Sequence, residues 1–192
     1  MLKQPVALLV LGALALLGCG QSPRTASSPS SRQPAQAEAS EIKLVSNAFK
    51  EGQPIPLQYT CSGVNVSPPL EWSGVPKSAK TIAIIADDPD APAGTWVHWV
   101  LYNLPAESMG LIENVPFSEN LRTGGFQGKN DFGKIGYGGP CPPSGTHRYF
   151  FKIYAVDSEL PLKGGATKTE LEKAMEGHIT AQAQLMGTYS RQ

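Results

Sequence analysis

Cysteine and histidine are scarce in this sequence, which has only three of each among 192 residues. The short motifs that commonly hold zinc or activate a serine are missing, since there is no HExxH, no CxxC and no GxSxG. These absences remove the usual signatures of zinc peptidases, zinc ribbons and α/β-hydrolases. We therefore expect a protein that is not an enzyme and that carries no metal and no cofactor.

Charge of one sign is not in excess either. The sequence has 16 basic and 16 acidic residues, and because three of the basic and one of the acidic residues precede residue 41, the remainder has a formal charge of −2. No cluster of basic residues stands out. We expect no nucleic-acid partner, since phosphate backbones are bound through clustered Lys and Arg.

The apolar run near the N-terminus is too short to cross a bilayer. It covers the 13 residues from Pro5 to Leu17, whereas a spanning helix needs about 20. The segment LLGC at 16–19 resembles the lipobox at which bacterial lipoproteins are cut and acylated. We predict a signal peptide over 1–18, lipidation of Cys19 and export to the bacterial cell envelope; a plain cleaved signal is the alternative.

The segment that follows lacks the large apolar residues that could form a core. Between Gly20 and Ser40 no apolar residue is larger than alanine, so residues 19–40 are predicted to be the lipidated cysteine and a disordered tether. A flexible chain of this length spans on the order of 25 Å. Residues 41–192 have the length of one domain with a single core.

Two predicted strands lie in the middle of the domain. TIAIIADD, residues 81–88, is a continuous apolar run typical of a strand covered on both faces. WVHWVLYNL, residues 96–104, alternates instead. Strict alternation places one set of its side chains on a single face: Trp96, His98, Val100 and Tyr102.

A third strand is predicted over HRYFFKIYAVD, residues 147–157. Its alternation puts His147 and Tyr149 on one face and Arg148 on the other. If this face and the His98 face turn to one cavity, the three aromatic side chains can meet. Since Arg148 points to the other face, we expect it to pair with a carboxylate of the acidic segment DDPD, residues 87–90.

The end of the domain predicts one helix and a closing strand. Thr167 and Glu170 have capping-box spacing at the start of an amphipathic stretch, and Gly177 is the expected stop. The alternating segment ITAQAQLMGTYSR follows. The other segments are loops rich in Pro and Gly, so the expected fold is mainly β, antiparallel or mixed, with a small C-terminal helical element.

Two loops carry the candidate chemistry. DDPDAP, residues 87–92, comes directly after the buried strand, and GYGGPCPPSG, residues 136–145, leads into His147. Taken alone, the acidic loop is also consistent with an exposed turn whose carboxylates bind nearby amides. Taken alone, the glycine- and proline-rich loop is consistent with a rigid turn before a strand.

Together the two regions point to a family. DDPDAPAGTWVHWVLYNLP and GYGGPCPPSGTHRYFFKIYAVD resemble the signature segments of the phosphatidylethanolamine-binding protein family, in its bacterial and archaeal Raf kinase inhibitor-like branch. The resemblance implies a β-sandwich with a small cavity for phosphate or a phosphorylated headgroup. By motif position it implies these lining residues: Asp88, Asp90, His98, Gly139, Pro140, His147 and Tyr149.

Cys61 and Cys141 remain once Cys19 is assigned to the lipid. Two cysteines in an exported domain indicate a disulfide, and the resemblance also makes their proximity plausible. Two free buried thiols are the alternative.

The expected function is a lipid-anchored binding module for an anionic small molecule or phospholipid headgroup. The family adds the expectation of an inhibitor or regulator of a partner protein, such as a protease or a kinase. A carboxylate that accepts a hydrogen bond from an imidazole would favour the charged ring and direct its other N–H to the anion. A metal-dependent phosphoesterase using the Asp and His cluster, or a structural envelope protein, are the alternatives.

Overall fold

The computed structural model describes residues 41–191. The predicted signal peptide, Cys19 and the tether lie outside the described residues. Within residues 41–191, no helix is both long and apolar enough to pass through a bilayer.

Within residues 41–191, the fold consists of eight strands, one α-helix and a short 3₁₀ helix. In chain order they are β1 Lys43–Val45, the 3₁₀ helix Leu57–Tyr59, β2 Leu70–Ser73, β3 Thr81–Asp88, β4 Trp96–Pro105, β5 Gly110–Leu111, β6 Phe126–Gln127, β7 Thr146–Val156, α1 Lys168–Met175 and β8 Ile179–Ser190. The strands form two antiparallel sheets, of order β1-β2-β5 and β6-β4-β3-β7-β8. The predicted mainly β class is confirmed.

The two faces of the larger sheet pack against different neighbours. Leu44 and Trp72 of the small sheet join Ile84 and Phe151 of the large sheet in one apolar cluster, so the main core lies between the sheets. On the opposite face, Ile85 packs in a second cluster with residues of α1. Every residue of β3 is therefore buried, as its continuous apolar run predicts.

Helix α1 begins and ends at the predicted signals. The Thr167 side chain accepts from the Glu170 amide, and the Glu170 carboxylate accepts from the Thr167 amide at 2.8 Å. Gly177, just beyond the helix, has a φ of +77°, a conformation that suits glycine. The capping box and the stop are both confirmed.

Helix α1 is also tied to the sheet by a buried carboxylate. Asp87 is fully buried on β3, and its Oδ2 accepts from Lys168 Nζ at 2.6 Å and from Lys152 Nζ at 2.9 Å. A buried carboxylate of this kind needs its cations, because an unpaired charge would be strongly destabilising. The two lysines are consequently committed to Asp87.

Strand β4 departs from the predicted alternation. Ala86 pairs with Trp99 and the next residue, Asp87, pairs with Val97, so His98 is the extra residue of a β-bulge. Val100 packs in the helix-side cluster, whereas Trp99 packs between the sheets. The prediction that His98 shares a face with Val100 and Tyr102 is wrong, because the bulge shifts the alternation by one residue.

Candidate functional site

The site is built around a buried carboxylate at the end of β3. Asp88 is 3% exposed, and its Oδ2 lies 2.7 Å from Nδ1 of His147 on the neighbouring strand β7. Its Oδ1 accepts from the Asp90 amide at 2.8 Å. Since a carboxylate accepts, His147 donates from Nδ1, and the aspartate fixes the orientation of the imidazole.

The β-bulge aims His98 at the same place. His98 is 3% exposed, and its Nδ1 lies 2.5 Å from the carbonyl oxygen of Gly138. A carbonyl can only accept, so Nδ1 carries a proton. Burial lowers the pKa of His98, although the Gly138 carbonyl and the Asp88 charge oppose that effect. The neutral ring therefore presents the Nε2 lone pair.

Tyr149 of β7 completes the group. Its ring packs edge-on against His98, with ring centroids 5.2 Å apart. Burial, followed by the nearby Asp88 charge, raises the pKa of Tyr149, so the hydroxyl keeps its proton. His98 therefore meets the predicted face of His147 and Tyr149. It contacts the Tyr149 ring directly, and it shares Asp88 as a neighbour with His147.

Some buried polar atoms at this place have no partner. Among residues 41–191, three buried side-chain N or O atoms lack a hydrogen bond: Asp87 Oδ1, Trp96 Nε1 and Tyr149 Oη. Asp87 Oδ1 still lies 2.8 Å from Lys152 Nζ. Tyr149 Oη is close enough to the Asp88 carboxylate and to the Cys141 backbone for both to shift its pKa. Trp96 Nε1 is left, and an unpaired buried polar group of this kind calls for an explanation such as a bound ligand or ion.

A cavity of about 350 Å³ opens beside these side chains, a size within the range of small-molecule sites. Its lining residues are Asp88, Ala91, Pro92, Ala93, Trp96, His98, Phe132, Cys141 and Pro143. The Phe132 ring lies 5.5 Å from Trp96 and 5.4 Å from His98. The cavity thus combines an aromatic rim with a polar base, and it contains no Lys or Arg.

Asp90 is placed differently from its predicted position in the cavity lining. Its Oδ1 lies 2.7 Å from Arg148 Nη2 and its Oδ2 accepts from Arg148 Nε at 2.9 Å. These hydrogen bonds lower the pKa of Asp90 to about 2. Arg148 therefore pairs with the acidic turn, as predicted, and the Asp90 carboxylate holds that turn to β7.

The glycine- and proline-rich loop lies beside the site, yet its amides are already used. The Gly139 amide donates to Asn65 Oδ1 at 2.7 Å, and the Gly138 amide donates to the His98 carbonyl at 2.8 Å. These two amides are therefore used within the fold. Pro140 likewise uses its carbonyl, which accepts from the Cys61 amide at 3.0 Å.

Steric contact explains one glycine of this loop. A Cβ on Gly139 would lie 2.4 Å from the Tyr59 carbonyl oxygen, well inside the van der Waals distance, so a larger residue would push the loop away from the 3₁₀ helix. The loop is held to the same segment by a hydrogen bond of 2.8 Å from the Tyr137 hydroxyl to that carbonyl.

The predicted disulfide between Cys61 and Cys141 is present, with the Cα atoms 5.4 Å apart. Because Cys141 lines the cavity, this bond belongs to the cavity wall. Two neighbours of the site were not predicted, Phe132 and Asn65. The single Phe in a polar loop and the lone Asn between two Val residues gave no local signal for either role.

The described residues contain no group of three His, Cys, Asp or Glu side chains that could hold a metal ion. His178 is half-exposed, and its Nδ1 lies 2.8 Å from the Asp157 carboxylate. It therefore lies outside the site.

Two antiparallel sheets, a helix on the outer face and a small cavity based on Asp88 and His98 define a class of β-sandwich binding proteins. Residues 45–190 match the family described as phosphatidylethanolamine-binding protein. The chain belongs to this family.

Similar proteins come from archaea and bacteria. The chain is 53% identical to a UPF0098 protein of Methanothermobacter thermautotrophicus, covering 78% of this chain and 99% of the relative. A solved phosphatidylethanolamine-binding protein homolog of Chlamydia trachomatis is 44% identical, with a TM-score of 0.74, covering 80% of this chain and 99% of the other. The structure of YbcL from E. coli is 34% identical, with a TM-score of 0.74, covering 79% of this chain and 99% of the other.

Proposed function

We propose that the domain binds a small phosphate-bearing anion in the cavity between Asp88, His98 and Phe132. The observation that carries this proposal is the cavity of about 350 Å³, which Asp88 and His98 line together with the Trp96 and Phe132 rings. Among residues 41–191, Trp96 Nε1 is one of the buried polar atoms without a hydrogen-bond partner, so it offers a donor to a ligand, and an oxyanion is the complementary acceptor. The family name, with its phosphorylated headgroup, supports the same class of ligand.

The Asp88 carboxylate does not prevent anion binding in this proposal, because both of its oxygens already accept hydrogen bonds within the fold. Oδ2 lies 2.7 Å from His147 Nδ1, which donates to it, and Oδ1 accepts from the Asp90 amide at 2.8 Å.

The experiment is calorimetric titration of inorganic phosphate and phosphoethanolamine into the full-length protein. His98→Ala and His147→Ala should each lower the affinity at least about tenfold, because His98 lines the cavity and His147 is hydrogen-bonded to the Asp88 carboxylate, which also lines it. His178→Ala is the matched control, since it removes a histidine with the same type of Nδ1–Asp contact away from the cavity. A folded wild type that binds neither ligand would overturn the proposal.

We further propose that the protein is exported and held at the cell envelope by a lipid on Cys19. The LLGC segment and the apolar run before it support this location. In this setting the module would act as an inhibitor or regulator of a partner protein, such as a protease or a kinase, or would bind a phospholipid headgroup. Cys19→Ala should release the protein from the membrane fraction and abolish labelling by radioactive fatty acid; retention of both would refute the anchor.

A further inference from the structure

A second depression, the β5 groove, has a volume of about 450 Å³ and lies between β5 and the loop that leads to β6. It shares no lining residue with the cavity at Asp88. Its larger apolar lining residues are Leu111, Ile112, Val115, Pro116 and Leu121. Ile112 is 79% exposed although it belongs to this apolar surface. An open apolar depression of this size is typical of a site for a small molecule.

Hydrogen bonds hold the loop wall of the β5 groove in place. The side chain of Gln127 is fully buried, and its Oε1 accepts from Trp99 Nε1 at 2.8 Å. Its Nε2 donates to the carbonyl oxygens of Pro116 and Ser118, at 2.7 and 2.8 Å. Because these bonds form within the fold, the groove is already shaped and binding requires little further ordering of the loop.

Arg122 is the one charged residue in the lining of the β5 groove. Among residues 41–191, it takes part in none of the salt bridges. The acids of the same loop are placed elsewhere, since Glu113 accepts from the Tyr59 hydroxyl and Glu119 lies beside Gly164. The groove therefore combines an apolar surface with one positive charge that no acid of its lining neutralises.

We propose that the β5 groove binds a free fatty acid of medium length, that is, a single alkyl chain that ends in a carboxylate. The chain packs on Leu111, Val115 and Leu121, and the carboxylate accepts from the guanidinium of Arg122. The planar guanidinium matches a carboxylate, and its single charge compensates one negative charge. Since Arg122 is exposed, water screens this ion pair, and burial of methylene groups supplies most of the affinity.

A series of hexanoate, octanoate and decanoate tests the apolar contribution. Each is titrated by calorimetry into the full-length protein, below the concentration at which it forms micelles. The affinity should increase roughly tenfold for each added pair of methylene groups. Equal affinities across the series, or a folded wild type that does not bind decanoate, would overturn the proposal.

The head group is tested with Arg122→Gln, which removes the charge and keeps an N–H donor. This variant should bind decanoate about fivefold more weakly than the wild type. Its affinity for decanol, which has the same chain without the charge, should change by less than about twofold. Equal changes for the two ligands would refute the pairing of the carboxylate with Arg122.

The location is tested with Ile112→Glu, which places a negative charge on the apolar wall. Because Ile112 is exposed, this variant should fold normally, and it should bind decanoate at least about tenfold more weakly. Ile179→Glu is the matched control, since Ile179 is 43% exposed and lies on β8, outside the groove. Equal losses in both variants would count against the site. In an NMR titration of the wild type, decanoate should shift the amide signals of residues 110–123, and shifts confined to the cavity at Asp88 would overturn the assignment.

Discussion

Two histidine–aspartate pairs in this protein share one contact and differ in their surroundings. Nδ1 of His147 lies 2.7 Å from Asp88, and Nδ1 of His178 lies 2.8 Å from Asp157. The side chains of the first pair are 10% and 5% exposed, while those of the second are 48% and 44% exposed. A distance alone therefore does not identify a functional pair.

Burial is the property that gives the first pair a role. At the surface, water and salt screen a His–Asp contact, and its contribution to stability is small. Inside the fold, the same contact fixes the imidazole, and the Asp88 carboxylate of the pair lines the cavity. Substitutions and changes of pH can test whether burial distinguishes the two pairs.

Removing the disulfide should give the largest effect, and it should change the cavity while leaving the surroundings of His178 unchanged. The Cys61–Cys141 bond closes 80 residues of chain, and the double variant Cys61→Ser with Cys141→Ser should lose about 4 kcal/mol in free energy of unfolding. Because Cys141 lines the cavity, phosphate affinity should also fall, while the NMR signals of His178 stay in place. Urea denaturation and NMR measure both, and an unchanged denaturation midpoint would contradict the structural role of the bond.

Removing the carboxylate of each pair tests burial directly. Asp88→Ala leaves His147 and the Asp90 amide without their partner and should cost about 3 kcal/mol in free energy of unfolding. Asp157→Ala, the matched control, should change that free energy by less than about 0.5 kcal/mol. Urea denaturation of both variants at pH 7 checks the contrast, and equal losses would show that burial does not distinguish the pairs.

Lowering the pH should destabilise the fold through His98, the buried histidine that lines the cavity. Burial lowers the pKa of His98 below its ordinary 6.5, so below pH 6.5 the unfolded chain binds a proton that the folded protein resists. The free energy of unfolding should therefore decrease as the pH falls, by no more than about 2 kcal/mol at pH 5 from this residue. In His98→Gln that part of the acid sensitivity should disappear. Parallel pH curves for the variant and the wild type would contradict this assignment.

The smallest effect is expected from an exposed ion pair at the edge of the site. Arg148 lowers the pKa of Asp90 from 3.8 to about 2, so the pair stabilises the fold above pH 3.8 and this contribution is lost as the pH falls through 2. The wild type and Arg148→Met should differ slightly in urea midpoint at pH 6 and converge near pH 2. A difference that grows toward acid would have the wrong sign.

The sequence predicted much of the fold because several elements carry strong local signals. The apolar run of β3, the alternation of β7 and the capping box at Thr167 each depend on neighbouring residues in the chain. The prediction that Arg148 pairs with the acidic turn held for the same reason, since alternation along a regular strand sets which way it points.

The bulge at His98 shows where local reasoning failed. Alternation predicted one face for His98, Val100 and Tyr102, but the pairing of β3 with β4 inserts an extra residue at His98. The insertion depends on the neighbouring strand, and nothing in the sequence of β4 marks it. The predicted contact between the His98 ring and the Tyr149 ring is nevertheless observed.

By itself, then, the sequence determined the mainly β class, the order of the main elements and the family motifs that contain Asp88, His98 and His147. Only the tertiary structure decided which carboxylate pairs with which cation, that the Gly138 and Gly139 amides are already hydrogen-bonded, and that Phe132 lines the cavity. The physical reason is range: propensity, alternation and capping act between residues a few positions apart, whereas burial and hydrogen-bond partners depend on segments up to 135 residues away in the chain.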